Sequence, residues 1–206
     1  FKSFYDLVRI IKSTNNFSKY LPKKSLMKNY KWPNIIESYE NLFWMKSIFL
    51  TGSSGFIGKN LKKNFKNKYK IFDFIKNSPV DIKQDTVIHL AGLAHDTNKI
   101  FNPKLYYDVN TKLTIDIFDN FLRSNASVFI FLSSVKAVKD FYNEKLDETV
   151  IETPTTYYGL SKLKAEKYIC SKKIPHGKRV FILRPCMIYG PENKGNLNLL
   201  YKIVSK

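Results

Sequence analysis

From residue 46 onward, short apolar runs alternate with longer stretches in which apolar residues recur every three or four positions. The first pattern is typical of strands, and the second is typical of helices that bury one face. The runs are apolar throughout, which indicates a sheet covered on both faces. This alternation predicts an α/β fold with a doubly wound parallel sheet. The predicted strands span 46–51, 69–74, 86–91, 127–133 and 179–183, and the predicted helices span 56–66, 104–122, 155–171 and 196–205.

The interval between the second and third predicted strands is short. Between Asp73 and Thr86 there is room for one small strand but not for a crossover helix, which needs at least about 10 residues. In a doubly wound sheet the third strand lies at the edge, where its loss disturbs the fold least. We therefore predict a short or missing third strand, with 79–82 as the remaining candidate.

The first 44 residues differ in character from the rest. They are aromatic and lysine-rich, with Pro22 and Pro33 as breaks. Residues 30–43 resemble the terminal helix of two-lobed sugar-nucleotide glycosyltransferases. We interpret residues 1–44 as the tail of an upstream transferase-like domain and residues 45–206 as a second domain. A non-native or disordered leader is the alternative.

Both ends of the chain suggest a fragment. The sequence begins at Phe1 rather than at methionine, and it stops at Lys206 within a helical pattern. We expect the chain to be part of a longer protein, with a C-terminal substrate-binding domain incomplete.

The net charge of +18 raises the question of nucleic-acid binding. Base readout and bidentate phosphate contacts favour arginine. However, only four of the 35 basic residues are arginine, and the lysines are spread along the chain. The densest lysine cluster, at 59–70, falls on the outer face of a predicted helix. A solvated surface explains it better than a nucleic-acid site.

Cysteine content and hydropathy indicate a cytoplasmic protein. Cys170 and Cys186 are too few for a disulfide scaffold, and no CxxC or paired histidines accompany them to bind zinc. The longest apolar run, 128–132, has the length of a strand and cannot span a membrane.

A glycine-rich turn connects the first predicted strand to the first helix. Its sequence is Thr-Gly-Ser-Ser-Gly-Phe-Ile-Gly, and its glycines allow a tight turn, close approach of a pyrophosphate and close packing of the helix. The helix N-terminus adds free N–H groups and positive potential. The spacing predicts a dinucleotide-binding loop, with an ordinary glycine turn as the alternative. Its candidate cofactor-binding residues are Gly52, Ser54, Gly55, Phe56, Ile57 and Gly58.

Three further segments are candidates for cofactor binding. Asp73 ends the second strand about 20 residues after the loop, where a carboxylate accepts from the adenosine ribose and favours NAD over NADP. A strand-end aspartate facing water is the alternative. Small residues follow the next strand at Leu90, Ala91 and Gly92, where a nucleotide could lie, although structural packing would also explain them. Asn110 falls in a helix behind the cofactor.

Ser134, Tyr158 and Lys162 are the candidate catalytic residues. Ser134 follows a buried strand, and Tyr158 and Lys162 are four residues apart, on one helical face. An ammonium beside a phenol lowers the pKa of tyrosine, which would make Tyr158 a usable base. In a chain with 13 tyrosines this spacing also arises by chance. The pair of Tyr158 and Lys162 follows both the glycine loop and the strand that ends at Ser134, and this order distinguishes it from a chance match.

Taken together, these motifs resemble the extended short-chain dehydrogenase/reductases, and among them the NAD-dependent epimerase/dehydratase family. Within that family the chain is most similar to the UDP-glucose 4-epimerase-like nucleotide-sugar enzymes. The resemblance covers about residues 46–206 and implies a Rossmann-like fold. It rests on residues 51–58, 89–92, 133–134, 158–162 and 183–191.

The resemblance implies a cytoplasmic nucleotide-sugar 4-epimerase of bacterial polysaccharide synthesis that binds NAD and no metal. Tyr158 would take a proton from the sugar 4-hydroxyl, Ser134 would orient that oxygen, and Lys162 would hold the nicotinamide ribose. Pro185 would contact the cofactor. Ser134, Tyr158, Asn196 and Leu197 would contact a UDP-hexose or UDP-N-acetylhexosamine. A homodimer through the helices at 104–122 and 155–171 also follows from the family.

Two departures and two rival functions accompany this interpretation. Sugar 4,6-dehydratases carry an Asp-Glu pair where Val135 and Lys136 stand, so dehydration is disfavoured. Many epimerases have asparagine where this chain has Met187, so one substrate contact differs. A UDP-4-keto-sugar reductase uses the same triad with exchange of reduced cofactor. A non-catalytic cofactor-binding module fused to a glycosyltransferase is the rival from another class.

Overall fold

The computed structural model describes residues 47–93, 102–141 and 149–190. Residues 1–44, the predicted helix at 196–205, and Asn196 and Leu197 lie outside the described residues. The division of the chain near residue 45 therefore stays a prediction.

Among the described residues, five parallel strands form one sheet, which confirms the predicted doubly wound α/β fold. The strands are ordered β2-β1-β3-β4-β5. The chain therefore passes from β1 to β2 on one side, and then crosses back to place β3, β4 and β5 on the other side of β1. This reversal creates a crevice at the carboxyl ends of β1 and β3, the place where open α/β sheets bind ligands. The strands are β1 (Ser47–Thr51), β2 (Lys70–Asp73), β3 (Thr86–His89), β4 (Val128–Leu132) and β5 (Arg179–Leu183).

The structure confirms that the third strand is missing. Residues 74–85 contain no strand, and no described strand lies beyond β2. The suggestion that 79–82 retains a strand is wrong. Instead, Ile82 is buried in the main core, with Phe74 and Val80 packed against it. This short connection contributes apolar side chains rather than another hydrogen-bonded edge.

In the part of the chain that the structure describes, four α-helices flank the sheet: α1 (Phe56–Phe65), α2 (Pro103–Tyr106), α3 (Leu113–Arg123) and α4 (Tyr157–Ser171). A 3₁₀ turn, Val135–Ala137, follows β4. The sequence predicted one regular helix over 104–122, but a π-helical segment, Tyr107–Lys112, joins α2 to α3. The π turn buries Asn110 and Thr111, and Thr111 Oγ1 donates to Ser161 O at 2.8 Å. Apolar periodicity carries no signal for such a change of pitch.

Successive residues of the central strands pack on opposite faces of the sheet. Phe49, Val87 and Phe129 face a core completed by α3 and α4. Ile48, Leu50 and Ile88 face a smaller core beneath α1. The continuous apolar runs of β1, β3 and β4 therefore reflect burial on two faces, as predicted. The outer strands β2 and β5 are more exposed, because each has only one neighbouring strand in the sheet.

Among the described residues, no helix combines the length and hydropathy needed to cross a bilayer. Cys170 and Cys186 are both free and exposed.

Candidate active site

The glycine loop is packed so closely that two of its positions exclude a side chain. Gly52 has φ +70°, and a Cβ there would lie 2.6 Å from the backbone nitrogen of Ala91. A Cβ at Gly58 would lie 2.3 Å from the carbonyl oxygen of Gly52. Both contacts are with backbone atoms, which cannot turn aside as a flexible side chain could. The predicted glycines thus bring the loop against the tip of β3 and against α1.

The first turn of α1 provides donors suited to a phosphate. Gly55 is the N-cap residue, and no side chain caps this helix end. The first intrahelical bond is donated by Lys59 to Gly55 O at 2.9 Å, so the amides of Phe56, Ile57 and Gly58 have no intrahelical acceptor. The first turn also contains no acidic residue. Free amides and the positive end of the helix fit the pyrophosphate of a dinucleotide.

Asn110 ties the loop after β3 to α4. Its side-chain oxygen accepts from Leu93 N at 2.7 Å, and its amide nitrogen donates to Leu93 O at 3.1 Å and to Ser161 Oγ at 2.9 Å. A Cβ at Gly92 would lie 3.0 Å from Lys162 Nζ and 3.2 Å from Asn110 Oδ1. The structure therefore brings three residues from separate predicted segments, Gly92, Asn110 and Lys162, to one place.

Lys162 is buried and held by the strand that precedes Ser134. The residue is only 3 % exposed, and its Nζ donates to Leu132 O at 2.9 Å. The ammonium also lies 4.7 Å from the centroid of the Phe131 ring. Burial lowers the pKa of Lys162 to about 8, and the carboxylate of Glu166 works in the opposite direction. The ammonium group of Lys162 is therefore held in one position, and its pKa lies near neutral pH.

Ser134 and Tyr158 meet through their hydroxyl groups. Ser134 precedes the 3₁₀ turn and accepts from Lys136 N at 3.2 Å, while Tyr158 lies in the first turn of α4. Burial raises the pKa of Tyr158, and its hydrogen bond with Ser134 lowers it. The expectation of a lowered tyrosine pKa is wrong for this structure, because removal from water outweighs the stabilisation of the phenolate.

His89 is a feature of this region that the sequence reasoning did not single out. It is fully buried, and its ring lies between two hydroxyls: Thr51 Oγ1 is 2.6 Å from Nδ1 and Thr114 Oγ1 is 2.8 Å from Nε2. Thr114 donates its own proton to Asn110 O at 2.7 Å, so it must accept from Nε2–H. Thr51 accepts from Ala91 N at 3.1 Å and donates to Nδ1. Burial, reinforced by Lys162, lowers the pKa of His89 to about 3, so the ring is neutral.

An ion-paired network lies beside α4, behind Lys162. Arg184 Nε donates to both oxygens of Glu166 at 3.1 and 3.0 Å, and its Nη2 donates to Glu152 at 3.1 Å. Glu166 is only 2 % exposed. Pro185, predicted to contact the cofactor, accepts from Val135 N at 3.2 Å through its backbone oxygen. This bond links the end of β5 to the turn that follows Ser134.

Asp73 lies at the end of β2 as predicted, but its carboxylate is engaged. Lys62 Nζ from α1 donates to Asp73 Oδ2 at 2.5 Å, and the two side chains are 42 % and 37 % exposed. An open pocket adjoins this carboxyl end, lined in part by Phe49, Ile75 and Ser78. The nearby cation weakens the electrostatic argument that Asp73 would repel a 2′-phosphate.

A parallel sheet of this order, with a glycine turn at its switch point, defines a Rossmann-like dinucleotide-binding fold. The chain belongs to the NAD dependent epimerase/dehydratase family, whose profile matches residues 72–206.

Comparisons with individual proteins agree with this assignment. The chain is 32 % identical over 191 residues to a UDP-glucose 4-epimerase of Vibrio cholerae, covering 78 % of this chain and 57 % of the relative. It thus spans little more than half the length of this relative. Nucleotide-sugar 4-epimerases and related reductases are the enzymes that it resembles.

Two solved structures show the same fold. A UDP-glucuronic acid 4-epimerase from Bacillus cereus, in complex with NAD, superposes with a TM-score of 0.61 at 20 % identity, covering 71 % of this chain and 58 % of that one. RMD from Pseudomonas aeruginosa, complexed with NADPH, has a TM-score of 0.60 at 24 % identity, with coverages of 74 % and 56 %. Proteins of this fold therefore bind either nicotinamide dinucleotide.

Proposed function

We propose that this chain carries the cofactor-binding and catalytic half of a nucleotide-sugar 4-epimerase that acts on a UDP-hexose or UDP-N-acetylhexosamine. The observation that supports this most directly is the placement of Ser134, Tyr158 and Lys162 around the carboxyl end of β4, where Tyr158 hydrogen-bonds to Ser134 and Lys162 to Leu132 O. Similarity to the 4-epimerase of Vibrio cholerae gives independent support.

In this proposal, Tyr158 exchanges a proton with the sugar 4-hydroxyl. The hydroxyl of Ser134 already hydrogen-bonds to Tyr158, so it can bind the same substrate oxygen and keep it in line with the phenol. Such positioning lowers the barrier because the reacting groups are held together before reaction. NAD would be held by the glycine loop at residues 52–58, and it would supply the acceptor and donor for a hydride at C4 of the sugar.

Lys162 provides a fixed positive charge for this chemistry. Below about pH 8 it is an ammonium, and it is anchored by Leu132 O rather than free in solvent. A buried cation stabilises negative charge strongly because little water screens it. Gly92 and Asn110 lie next to its amino group, since a Cβ on Gly92 would lie 3.0 Å from Lys162 Nζ and 3.2 Å from Asn110 Oδ1.

The absence of an acid pair after Ser134 favours epimerisation over dehydration. Val135 is an apolar residue and Lys136 an exposed cation, and both belong to the 3₁₀ turn. Neither can serve as the carboxylic acid that moves protons at C5 and C6. The proposed reaction therefore stays at C4.

Interconversion of UDP-sugars tests the proposal. The full-length protein with NAD should convert a gluco-configured UDP-sugar into its galacto epimer, with no net change in NADH absorbance. The expected products are separable by chromatography. If no gluco/galacto pair of UDP-hexoses or UDP-N-acetylhexosamines interconverts, the proposal is wrong.

A 4-keto-sugar reductase is the second candidate, and the Lys62–Asp73 ion pair favours it. A neutralised carboxylate at the ribose position would tolerate NADPH, the cofactor present in the RMD complex. A reductase would consume NADPH or NADH in proportion to a 4-keto substrate, which is measured as a loss of absorbance. An epimerase recycles its cofactor and shows no such stoichiometry. We propose NAD as the resident cofactor.

Replacement of Tyr158 distinguishes an enzyme from a non-catalytic cofactor-binding module. Tyr158→Phe removes only the hydroxyl that exchanges the proton, so kcat should fall by at least about 100-fold. Tyr157→Phe is the matched control, because Tyr157 is the preceding residue and is 48 % exposed. Equal rates for the two variants and the wild type would contradict a catalytic role for Tyr158.

The biological setting proposed from the sequence is bacterial polysaccharide synthesis in the cytoplasm. We also propose a homodimer through the helices at 104–122 and 155–171, and fusion to a glycosyltransferase through residues 1–44. We further propose that Asn196 and Leu197 contact the substrate.

A further inference from the structure

Asp140 forms a compact set of hydrogen bonds between the two segments that carry the candidate catalytic hydroxyls. Its Oδ2 accepts from Thr155 N at 2.6 Å, from Thr155 Oγ1 at 2.9 Å and from Thr156 N at 3.0 Å. Its Oδ1 accepts from Thr156 Oγ1 at 2.6 Å. Both carboxylate oxygens are thus engaged by the residues that immediately precede α4.

These contacts join two places that are distant in sequence. Asp140 lies six residues after Ser134, just beyond the 3₁₀ turn that Ser134 caps. Thr156 is the N-cap of α4, and its hydroxyl accepts from Gly159 N at 3.1 Å while donating to Asp140. Tyr158 is the second residue of that helix. The position of its ring therefore depends on how the first turn of α4 is held.

Neighbouring contacts bring the same two segments together. Thr153 N donates to Val138 O at 2.7 Å, and a Cβ at Gly159 would lie only 2.3 Å from Lys136 O. A carboxylate at the N-terminus of α4 is also favoured by the helix dipole. Burial works to raise the pKa of Asp140, but hydrogen bonds from Thr156 and Thr155 outweigh it and leave the pKa below its usual value.

We propose that Asp140 is a positioning residue that aligns Tyr158 with Ser134 by fixing the first turn of α4 to the segment after β4. This inference rests on the proposed function of the Ser134 and Tyr158 pair. Asp140 does not touch the reacting atoms in this proposal. It acts through the threonines that it binds.

The test compares two substitutions at Asp140 in the full-length protein. Asp140→Ala removes all four acceptor contacts, so kcat for UDP-sugar interconversion should fall roughly 10- to 100-fold, as expected for a displacement near 1 Å. KM should change less than about threefold, because the substrate-binding groups remain. Asp140→Asn retains one oxygen for the three donors and an amide that can donate to Thr156 Oγ1, so it should restore kcat to within about threefold.

Asp85→Ala is the matched control. Asp85 also accepts from a backbone amide and a hydroxyl, Ser47 N at 3.2 Å and Ser47 Oγ at 2.5 Å, but at the start of β1. It should destabilise the protein without lowering kcat. If Asp140→Ala and Asp85→Ala have equal kcat while folded, or if Asp140→Asn is as slow as Asp140→Ala, the positioning role is wrong.

Amide hydrogen exchange provides a measurement that does not depend on activity. In Asp140→Ala the amides of residues 155–160 should exchange at least about 10-fold faster than in the wild type and in Asp85→Ala. Unchanged exchange would overturn the proposal. If the wild-type protein fails to interconvert any UDP-sugar, the proposed function fails, and this exchange experiment still decides whether Asp140 holds α4.

Discussion

At the scale of single residues, His89 shows how a polar side chain is accommodated in a strand that is otherwise apolar. Both ring nitrogens have hydroxyl partners, and the partners are themselves satisfied by backbone groups. A fully paired buried imidazole costs much less than an unpaired one. The arrangement joins the start of the glycine loop at Thr51 to the backbone of Asn110. His89 therefore belongs to the framework that joins the glycine loop to the helical segment containing Asn110.

The neutral state of His89 makes stability dependent on pH. Its pKa is about 3 in the folded protein and near 6.5 when unfolded, so between these values only the unfolded state binds the proton. Stability should therefore fall as pH drops from about 6.5 towards 3, with a slope approaching about 1.4 kcal/mol per pH unit from this group.

Urea unfolding between about pH 5 and pH 7 measures this slope. His89→Gln should flatten the dependence, whereas His176→Gln, at an exposed position, should leave it as in the wild type. Parallel pH profiles for His89→Gln and the wild type would show that the buried imidazole is not the group responsible.

At the scale of secondary structure, the junction between β1 and α1 depends on contacts between backbones. The loop passes so close to the tip of β3 and to the first turn of α1 that Gly52 and Gly58 leave no room for a methyl group. The same packing directs the free amides of α1 towards the carboxyl end of the sheet. The position of the helix and the exposure of its uncapped amides are therefore consequences of the same two glycines.

Gly58→Ala should weaken cofactor binding and stability together. The added methyl would lie 2.3 Å from Gly52 O, so the loop or α1 must move. We expect a loss of about 1–3 kcal/mol in stability, typical of overpacking, and at least about a 10-fold rise in the dissociation constant for NADH, measured by fluorescence titration.

Gly190→Ala is the control, since a Cβ there would make an ordinary contact at 3.7 Å with Phe56. It should bind NADH as the wild type does. Normal NADH affinity in Gly58→Ala would mean that the loop does not hold the pyrophosphate.

At the scale of the whole molecule, the sequence predicted the sheet better than it predicted the environment of the site. Apolar runs and glycine spacing were sufficient for the five parallel strands and the missing third strand, because both depend on local patterns. The tyrosine pKa was predicted in the wrong direction, since it depends on burial at a point where three elements meet. The roles of His89 and Asp140 required partners more than ten residues away in the chain.

The ion pair at Asp73 illustrates the same limit. Sequence spacing correctly placed the carboxylate at the end of β2, but the cation that contacts it comes from α1, eleven residues earlier. Lysines are so frequent in this chain that no pattern identifies Lys62 as the partner. Whether the carboxylate repels an anion depends on this tertiary contact.

The missing third strand leaves β2 at the edge of the described sheet. No described strand covers the outer edge of β2, where Phe72 is 47 % exposed and Lys70 is exposed beside it. An uncovered edge can pair with another chain, and a lysine on it opposes such pairing through charge repulsion and its hydrated side chain.

Lys70→Val should therefore accelerate aggregation on mild heating, followed by light scattering, whereas Lys59→Val, an equal loss of charge on α1, should not. Matching onset times for the two variants would show that net charge alone keeps the protein dispersed. In the shortened sheet, Lys70 would then be the edge residue that opposes fibrous self-association.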